Sequence, residues 1–315
     1  MSNETMLNKA ERYICHRRKL GAKFIEEASL VKSFAEYADT NANNQPITIK
    51  HAFQWATLPS ASKAQHARRL GVVRGFSAYL AIEEPQTQLI PRNMIKSKIL
   101  RGNPYIFSHE EILRFLAFKG DDAFTPWDRT NLVTIIGLVY CTGLRTGEAM
   151  SLQRSHVDLD KRIITVIDSK RLPMRLVPID TSVSEKLREY DQYRQETFQH
   201  SKSNDFFVSA TGGNLDASVV RALWKVLCRQ ENIQNRRQVH PRLFDLRHTF
   251  ACNYLLQSYE ENRDIDVAVH VLSVYLGHST VKQTYWYLSA VPELLKFCSD
   301  RFEQHSEYCR KREQK

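Results

Sequence analysis

The sequence predicts a mainly α-helical protein of two domains with one small antiparallel β-sheet. Three observations carry this. Apolar residues recur at helical spacing over most of the 315 residues. Strand-like runs gather at 157–159, 163–167 and 175–179, with Asp160-Lys161 as a turn between the first two. The stretch 83–104 holds Pro85, Pro91, Gly102 and Pro104 together with Arg92, Lys96, Lys98 and Arg101, so it is helix-breaking and basic at once. This reads as a domain boundary: a helical domain at 1–90, a basic linker at 91–104 and a second domain at 105–315.

Residues 5–39 read as two helices, with Ala10, Tyr13 and Ile14 and then Phe24, Ile25, Ala28, Val31, Phe34, Ala35 and Ala38 at helical spacing. A short helix follows at 49–56. Over 62–80 one face carries Leu70, Val73, Ser77 and Leu80, and the other Lys63, Arg68, Arg69 and Arg74. An apolar face and a basic face suit a helix lying against phosphates as well as they suit a solvated surface. In the second domain, Ser108 followed by Glu111 signals a capped helix through Phe118. Residues 130–142 form an apolar helix stopped by Gly143. Helices are expected again at 181–195, 216–228, 243–257 and 267–276, with a short extended run at 205–209 and a basic loop at 235–237. Gly277 suits the left-handed end of the 267–276 helix, and Ser279 suits the cap of the next. Pro292 opens a last helix with Leu294, Leu295, Phe297, Cys298 and Phe302.

Composition bounds the function. An apolar fraction of 42% supports real cores, and 25% charged residues exclude a disordered chain. The net charge of +10 favours a polyanion as partner, nucleic acid first. Six cysteines show no C-x-x-C pair and no zinc-ligand spacing, so most read as buried thiols in a reducing compartment and no metal site is expected. The start lacks an apolar signal core, and the longest apolar run, 132–141, is too short to span a bilayer. A cytosolic protein with no membrane segment is expected.

Four short motifs stand in order. Thr142-Gly143-Leu144-Arg145-Thr146-Gly147-Glu148 places an arginine after the apolar helix. Lys170 lies in the loop of a hairpin that Arg175-Leu176-Val177-Pro178 closes. Asp245-Leu246-Arg247-His248-Thr249-Phe250 lies on a helix, and Leu276-Gly277-His278 precedes Tyr287 by nine residues from the histidine. Singly, each has an ordinary explanation: Arg145 as a cation at a helix C-terminus, Lys170 as a turn charge, Arg247 as a surface charge, His278 as a core histidine. Tyr285 reads as packing.

In this order and spacing, residues 105–290 resemble the tyrosine recombinase, or phage-integrase, family. Thr284-Tyr285-Trp286-Tyr287-Leu288 is similar to the ending of recombinases carried by bacterial mobile elements. The resemblance implies a C-shaped clamp of a helical core-binding domain and a catalytic domain around double-stranded DNA. It implies DNA cleavage and rejoining through a 3′-phosphotyrosyl intermediate, for integration or transposition, by a tetramer of one chain or two in the bacterial cytoplasm. One ester is exchanged for another, so no ATP, metal or cofactor is implied.

Arg145 and Arg247 match the family's two catalytic arginines. Guanidinium groups are planar, permanently charged and bidentate, which suits the equatorial oxygens of a phosphoryl transition state. Tyr287 matches the nucleophile. With an ordinary pKa of about 10, phenolate at neutral pH costs roughly 4 kcal/mol, so cations and a base must help. His278 matches the His or Trp that hydrogen-bonds a non-bridging oxygen. Lys170 matches the lysine that protonates the leaving 5′-oxygen, and Glu148 a buried acid that fixes the arginine. DNA contacts are expected from Arg68, Arg69, Arg74, Lys96, Lys98 and Arg101. One position departs: the family's histidine three residues before the second arginine is Phe244 here. A benzyl ring trades no proton. His240 or His248 compensates, or the chain is a slow or idle DNA-binding accessory subunit. A type IB-like topoisomerase shares the same chemistry.

Overall fold

The computed structural model describes residues 4–22, 24–41, 46–58, 61–96, 104–120, 124–167, 174–199, 203–233 and 241–290. The chain divides into two compact units, Met1–Arg101 and Gly102–Lys315.

The first unit is helical. It contains α1 (Met6–Lys19), α2 (Glu26–Asn41), α3 (Ile49–Ala56) and α4 (Lys63–Leu80). Short hydroxyl side chains set three of the starts: Thr5, Thr48 and Ser62 each accept from a backbone N–H three residues on. Asp39, near the end of α2, also accepts from the Met6 and Leu7 N–H groups at 2.7 and 3.2 Å, so α2 caps the start of α1. The apolar stripe of α4 is Leu70, Val73, Phe76, Ser77 and Leu80, all buried. It packs with Tyr13, Phe34 and Trp55 in one core. Gly75 lets α4 approach α1, since a Cβ there would lie 2.8 Å from the Tyr13 hydroxyl.

The second unit is built around α6 (Pro126–Thr142), which packs against α5 (His109–Leu116), α7 (Thr146–Met150), α8 (Thr181–Thr197), α9 (Ala217–Gln230) and α10 (Asp245–Glu260). The expected start of α6 moves four residues earlier, because Thr125 caps it and Pro126 occupies the first turn. Buried Asn131 joins this helix to the chain beyond α8. It donates to the Val208 carbonyl at 2.7 Å and accepts from the Tyr190 hydroxyl at 2.7 Å. A three-stranded antiparallel sheet runs β1 (Val157–Asp158), β2 (Ile163–Val166), β3 (Arg175–Pro178), with Ile164 opposite both Val157 and Val177. A second apolar cluster joins α10 to α11 (Ile265–Leu276) and α12 (Lys282–Ala290) through Leu255, Leu272, Leu276 and Tyr287.

Several details differ from the sequence reading. Helix α5 stops at Leu116, two residues early. The run 205–209 forms isolated bridges at Asp205 and Val208 in place of a strand. Ser279 caps nothing: α12 begins at Lys282 after a tight turn in which Gln283 and Thr284 donate to Thr280 and Val281. Cys228 and Cys252 are buried, yet Cys15 and Cys141 are exposed. Each exposed cysteine falls off its helix's apolar stripe: Ile14 is buried beside Cys15, as are Val139 and Thr142 around Cys141. The basic loop at 235–237 and the helix from Pro292 lie outside the described residues.

Gly143 at the end of α6 and Gly277 at the end of α11 are both left-handed, at φ +60 and +66. A Cβ on Gly143 would lie 2.5 Å from Phe250 Cδ1 and 2.8 Å from Leu276 Cδ2. Gly143→Ala is therefore expected to lose at least about 2 kcal/mol, combining left-handed strain with overpacking. A urea midpoint within experimental error of the parent would show that the turn relaxes freely.

Candidate active site

The site forms where the C-terminal ends of α6 and α11 meet the start of α10. Arg247 lies in the first turn of α10 and is 1% exposed. Its Nη1 donates to the Gly143 carbonyl at 2.7 Å and its Nη2 to the Leu276 carbonyl at 2.9 Å. Both acceptors sit at helix C-termini, where unpaired carbonyls concentrate negative partial charge. Burial pulls the Arg247 guanidinium down to about 10, opposed by Tyr287, so it stays protonated at neutral pH.

Arg145 follows the left-handed Gly143 and opens α7. Its backbone N–H donates to Glu148 Oε2 at 2.9 Å, its Nη1 to Glu148 Oε1 at 2.6 Å, and its Nη2 to the Gly277 carbonyl at 3.1 Å. Glu148 is shared. Arg175 on β3 donates to Oε1 at 3.1 Å and to Oε2 at 2.6 Å. Burial alone would raise the Glu148 carboxyl. The hydrogen bond from Arg175, the Arg145 backbone N–H and the charge of Arg175 outweigh it and hold the group at about 2.

His278 and Tyr287 complete the cluster. His278 Nε2 lies 3.0 Å from Arg247 Nη2, and its Nδ1 lies 2.7 Å from the hydroxyl of fully buried Thr284. Burial first, then Arg247, Arg145, Arg175 and His248, lower this imidazole to about 4. The Tyr287 ring is 3% exposed, 6.2 Å from the His278 ring and 5.4 Å from the His248 ring. Burial raises its phenol, while the charge of Arg247 acts the other way.

The structure thus brings Arg145, Glu148, Arg247, His278 and Tyr287 to one place, with Phe244 and His248 beside them. Phe244 precedes α10, and its ring meets His248 edge-on at 4.9 Å. His248 is 9% exposed, with Nε2 3.9 Å from buried Asp245 Oδ1. Lys170 and His240 lie outside the described residues, as do Lys98 and Arg101. In the first unit, Arg68 pairs with Glu26, and Arg69 lies over the Trp55 ring at 5.8 Å. Arg74 and exposed Lys96 line one open cavity of about 550 Å³. Tyr285 does not pack: it is 45% exposed and its hydroxyl donates to Asp266 Oδ1 at 2.9 Å. The sequence reading missed Arg175 and Thr284. Arg175 is two residues from buried Val177 on the same strand face, and a charge facing a core needs a partner.

The family model described as the phage integrase family matches residues 106–293. The chain belongs to this family of tyrosine recombinases. It is 36% identical over 314 residues to the candidate integrase/recombinase y4rB of Sinorhizobium fredii, covering 96% of this chain and 98% of that one. Its fold is similar to XerH site-specific recombinase in a post-cleavage complex with palindromic difH substrate (TM-score 0.61, 14% identity, 96% and 97% covered). It is also similar to the Tn1549 transposon integrase in complex with circular intermediate DNA (TM-score 0.61, 16% identity, 90% and 94% covered). Among the described residues, no helix is long and apolar enough to cross a membrane, and no group of three His, Cys, Asp or Glu could hold a metal ion.

Glu148 makes the site acid-sensitive. Its carboxyl is depressed from an ordinary 4.5 to about 2, so its stabilisation is full above the former and is lost as pH falls through the latter. Glu148→Gln is expected to be less stable than the parent at neutral pH, by up to about 3 kcal/mol. The gap should close as pH drops through this window in urea unfolding. A gap independent of pH would mean that the carboxylate's charge contributes nothing.

Proposed function

We propose that the protein is an active DNA strand transferase: it cleaves and rejoins duplex DNA through a 3′-phosphotyrosyl link. The observation that carries this reading is the convergence of Arg145, Arg247, His278 and Tyr287 from four separate elements. In this scheme the Tyr287 oxygen attacks the scissile phosphorus. Arg145 and Arg247 hold the non-bridging oxygens, and Glu148 fixes Arg145. Lys170 protonates the departing 5′-oxygen. The ester formed on tyrosine keeps the energy of the ester broken, so rejoining requires no ATP.

The first unit acts as the core-binding domain, the stretch 91–104 as the basic linker and the second unit as the catalytic domain. The partner is double-stranded DNA in the bacterial cytoplasm, and the working assembly is a tetramer. A mobile element is the natural setting, since the y4rB relative is named an integrase/recombinase and a transposon integrase shares the fold. Phe244 favours a second reading, an idle accessory subunit that binds DNA without cutting it.

A suicide duplex that traps the covalent complex separates the two. The wild-type chain is expected to form an adduct, and Tyr287→Phe to form none while binding DNA normally. Adduct loss from Tyr285→Phe instead would move the nucleophile. Arg145→Ala and Arg247→Ala should each slow cleavage by roughly 3–4 kcal/mol, or two to three orders of magnitude. A wild-type chain that binds but never forms an adduct is the accessory subunit. Binding by either reading is phosphate-driven, so affinity should fall steeply with salt. A flat salt response argues against the basic surface of α4 and the linker as the DNA contact.

A further inference from the structure

The Tyr287 phenol must lose its proton to attack, and Phe244 offers no lone pair to receive it. His248 meets Tyr287 ring to ring, packed also against Phe244 and Trp286. His278 also stacks on the Tyr287 ring, with centroids 6.2 Å apart, and both of its ring nitrogens have defined partners. A guanidinium only donates, so the Arg247 contact at 3.0 Å makes Nε2 of His278 the acceptor. The proton of the neutral ring is then on Nδ1, which donates to Thr284 Oγ1 at 2.7 Å. Two buried partners therefore hold one tautomer, with the bare nitrogen turned to the arginine.

That tautomer cannot do what the family assigns to this position. A bare Nε2 has no hydrogen to offer a phosphoryl oxygen. It gains one only by taking a proton. The charge of the same guanidinium acts on the Tyr287 phenol, opposing the effect of burial. A phosphate that recruits the Arg247 donors frees the bare nitrogen beside the Tyr287 ring.

We propose that His278 is the general base for Tyr287, in the role left open by Phe244. This rests on Tyr287 being the nucleophile. The Tyr287 O–H bond breaks and its proton moves to His278 Nε2. The phenolate oxygen bonds to phosphorus, and the bond from phosphorus to the 5′-oxygen breaks, that oxygen being protonated by Lys170. The new Nε2–H then donates to a non-bridging oxygen. One residue thus serves first as base and then as donor. Its surroundings favour the neutral start: burial first, then Arg247 from α10, Arg145 at the head of α7, Arg175 from β3 and His248 from α10 keep it unprotonated at neutral pH. The arriving phosphate reverses that balance by adding negative charge.

The test uses the full chain and a duplex that it selects from a random pool, carrying a 5′-bridging phosphorothiolate at the mapped cleavage position. A thiolate leaves without a proton, so the acid step drops out and adduct formation reads the base. Tryptophan donates but takes up no proton. His278→Trp is expected to bind this duplex normally and to form the adduct slower by on the order of a hundredfold or more. Adding Phe244→His should restore roughly tenfold or more, because a base returns at the other position. His278→Asn, smaller and equally unable to take a proton, replaces the indole variant if that does not fold. A His278→Trp rate within a few-fold of wild type overturns the proposal, because a donor then suffices. So does a slow variant that binds DNA but gains nothing from Phe244→His. If wild type forms no Tyr287 adduct at all, the proposed function itself fails, and this inference with it.

Discussion

A full positive charge buried at the meeting of two helix C-termini organises the second unit. Placing the Arg247 guanidinium out of water is costly, and removing its partners would leave an uncompensated charge. The compensation comes from backbone. The carbonyls of Gly143 and Leu276 belong to the ends of α6 and α11, and each carries the negative end of a helix dipole. The left-handed glycines at 143 and 277 stop these helices so that their last carbonyls turn toward the arginine instead of continuing a ladder. One side chain therefore ties three helices, and its charge survives in a low-dielectric place where it acts strongly on an anion.

Around that cation the remaining charges are balanced unevenly. Glu148 is one carboxylate held by two guanidiniums, Arg145 and Arg175. With Arg247 the group stays net positive. The bidentate grip of Arg175 leaves Arg145 restrained through its backbone, one Nη1 contact and the Gly277 carbonyl. Burial, and then the same positive field, keep His278 neutral. Burial keeps the Tyr287 phenol above its ordinary value, so the phenol is protonated at neutral pH. In the proposed reaction, an incoming anion shifts both equilibria in the productive direction.

Much of the fold was legible in local signals. Ser62 and Ser108 mark helix starts because their hydroxyls reach a nearby N–H, and Gly143 and Gly277 mark ends because only glycine tolerates the left-handed turn easily. The sheet was legible in the three short strand-like runs. Boundaries slipped where the signal was a weaker competitor of packing: Ser279 looks like a cap, yet α12 begins at Lys282. Residues 205–209 have strand composition but find only isolated bridge partners.

The sequence by itself determined the helical class, the basic charge and the ordered motifs that carry Arg145, Arg247, His278 and Tyr287, because caps, periodicity and spacing are local properties of the chain. Tertiary structure decided which side chains share one site. Arg247 meets a carbonyl 104 residues away, Arg175 joins Glu148 across 27, and Thr284 rather than Ser279 engages His278. Packing also turned Tyr285 outward to Asp266 and paired Arg68 with Glu26. No spacing rule fixes such partners. They are set by which buried polar groups must be satisfied once the helices have packed.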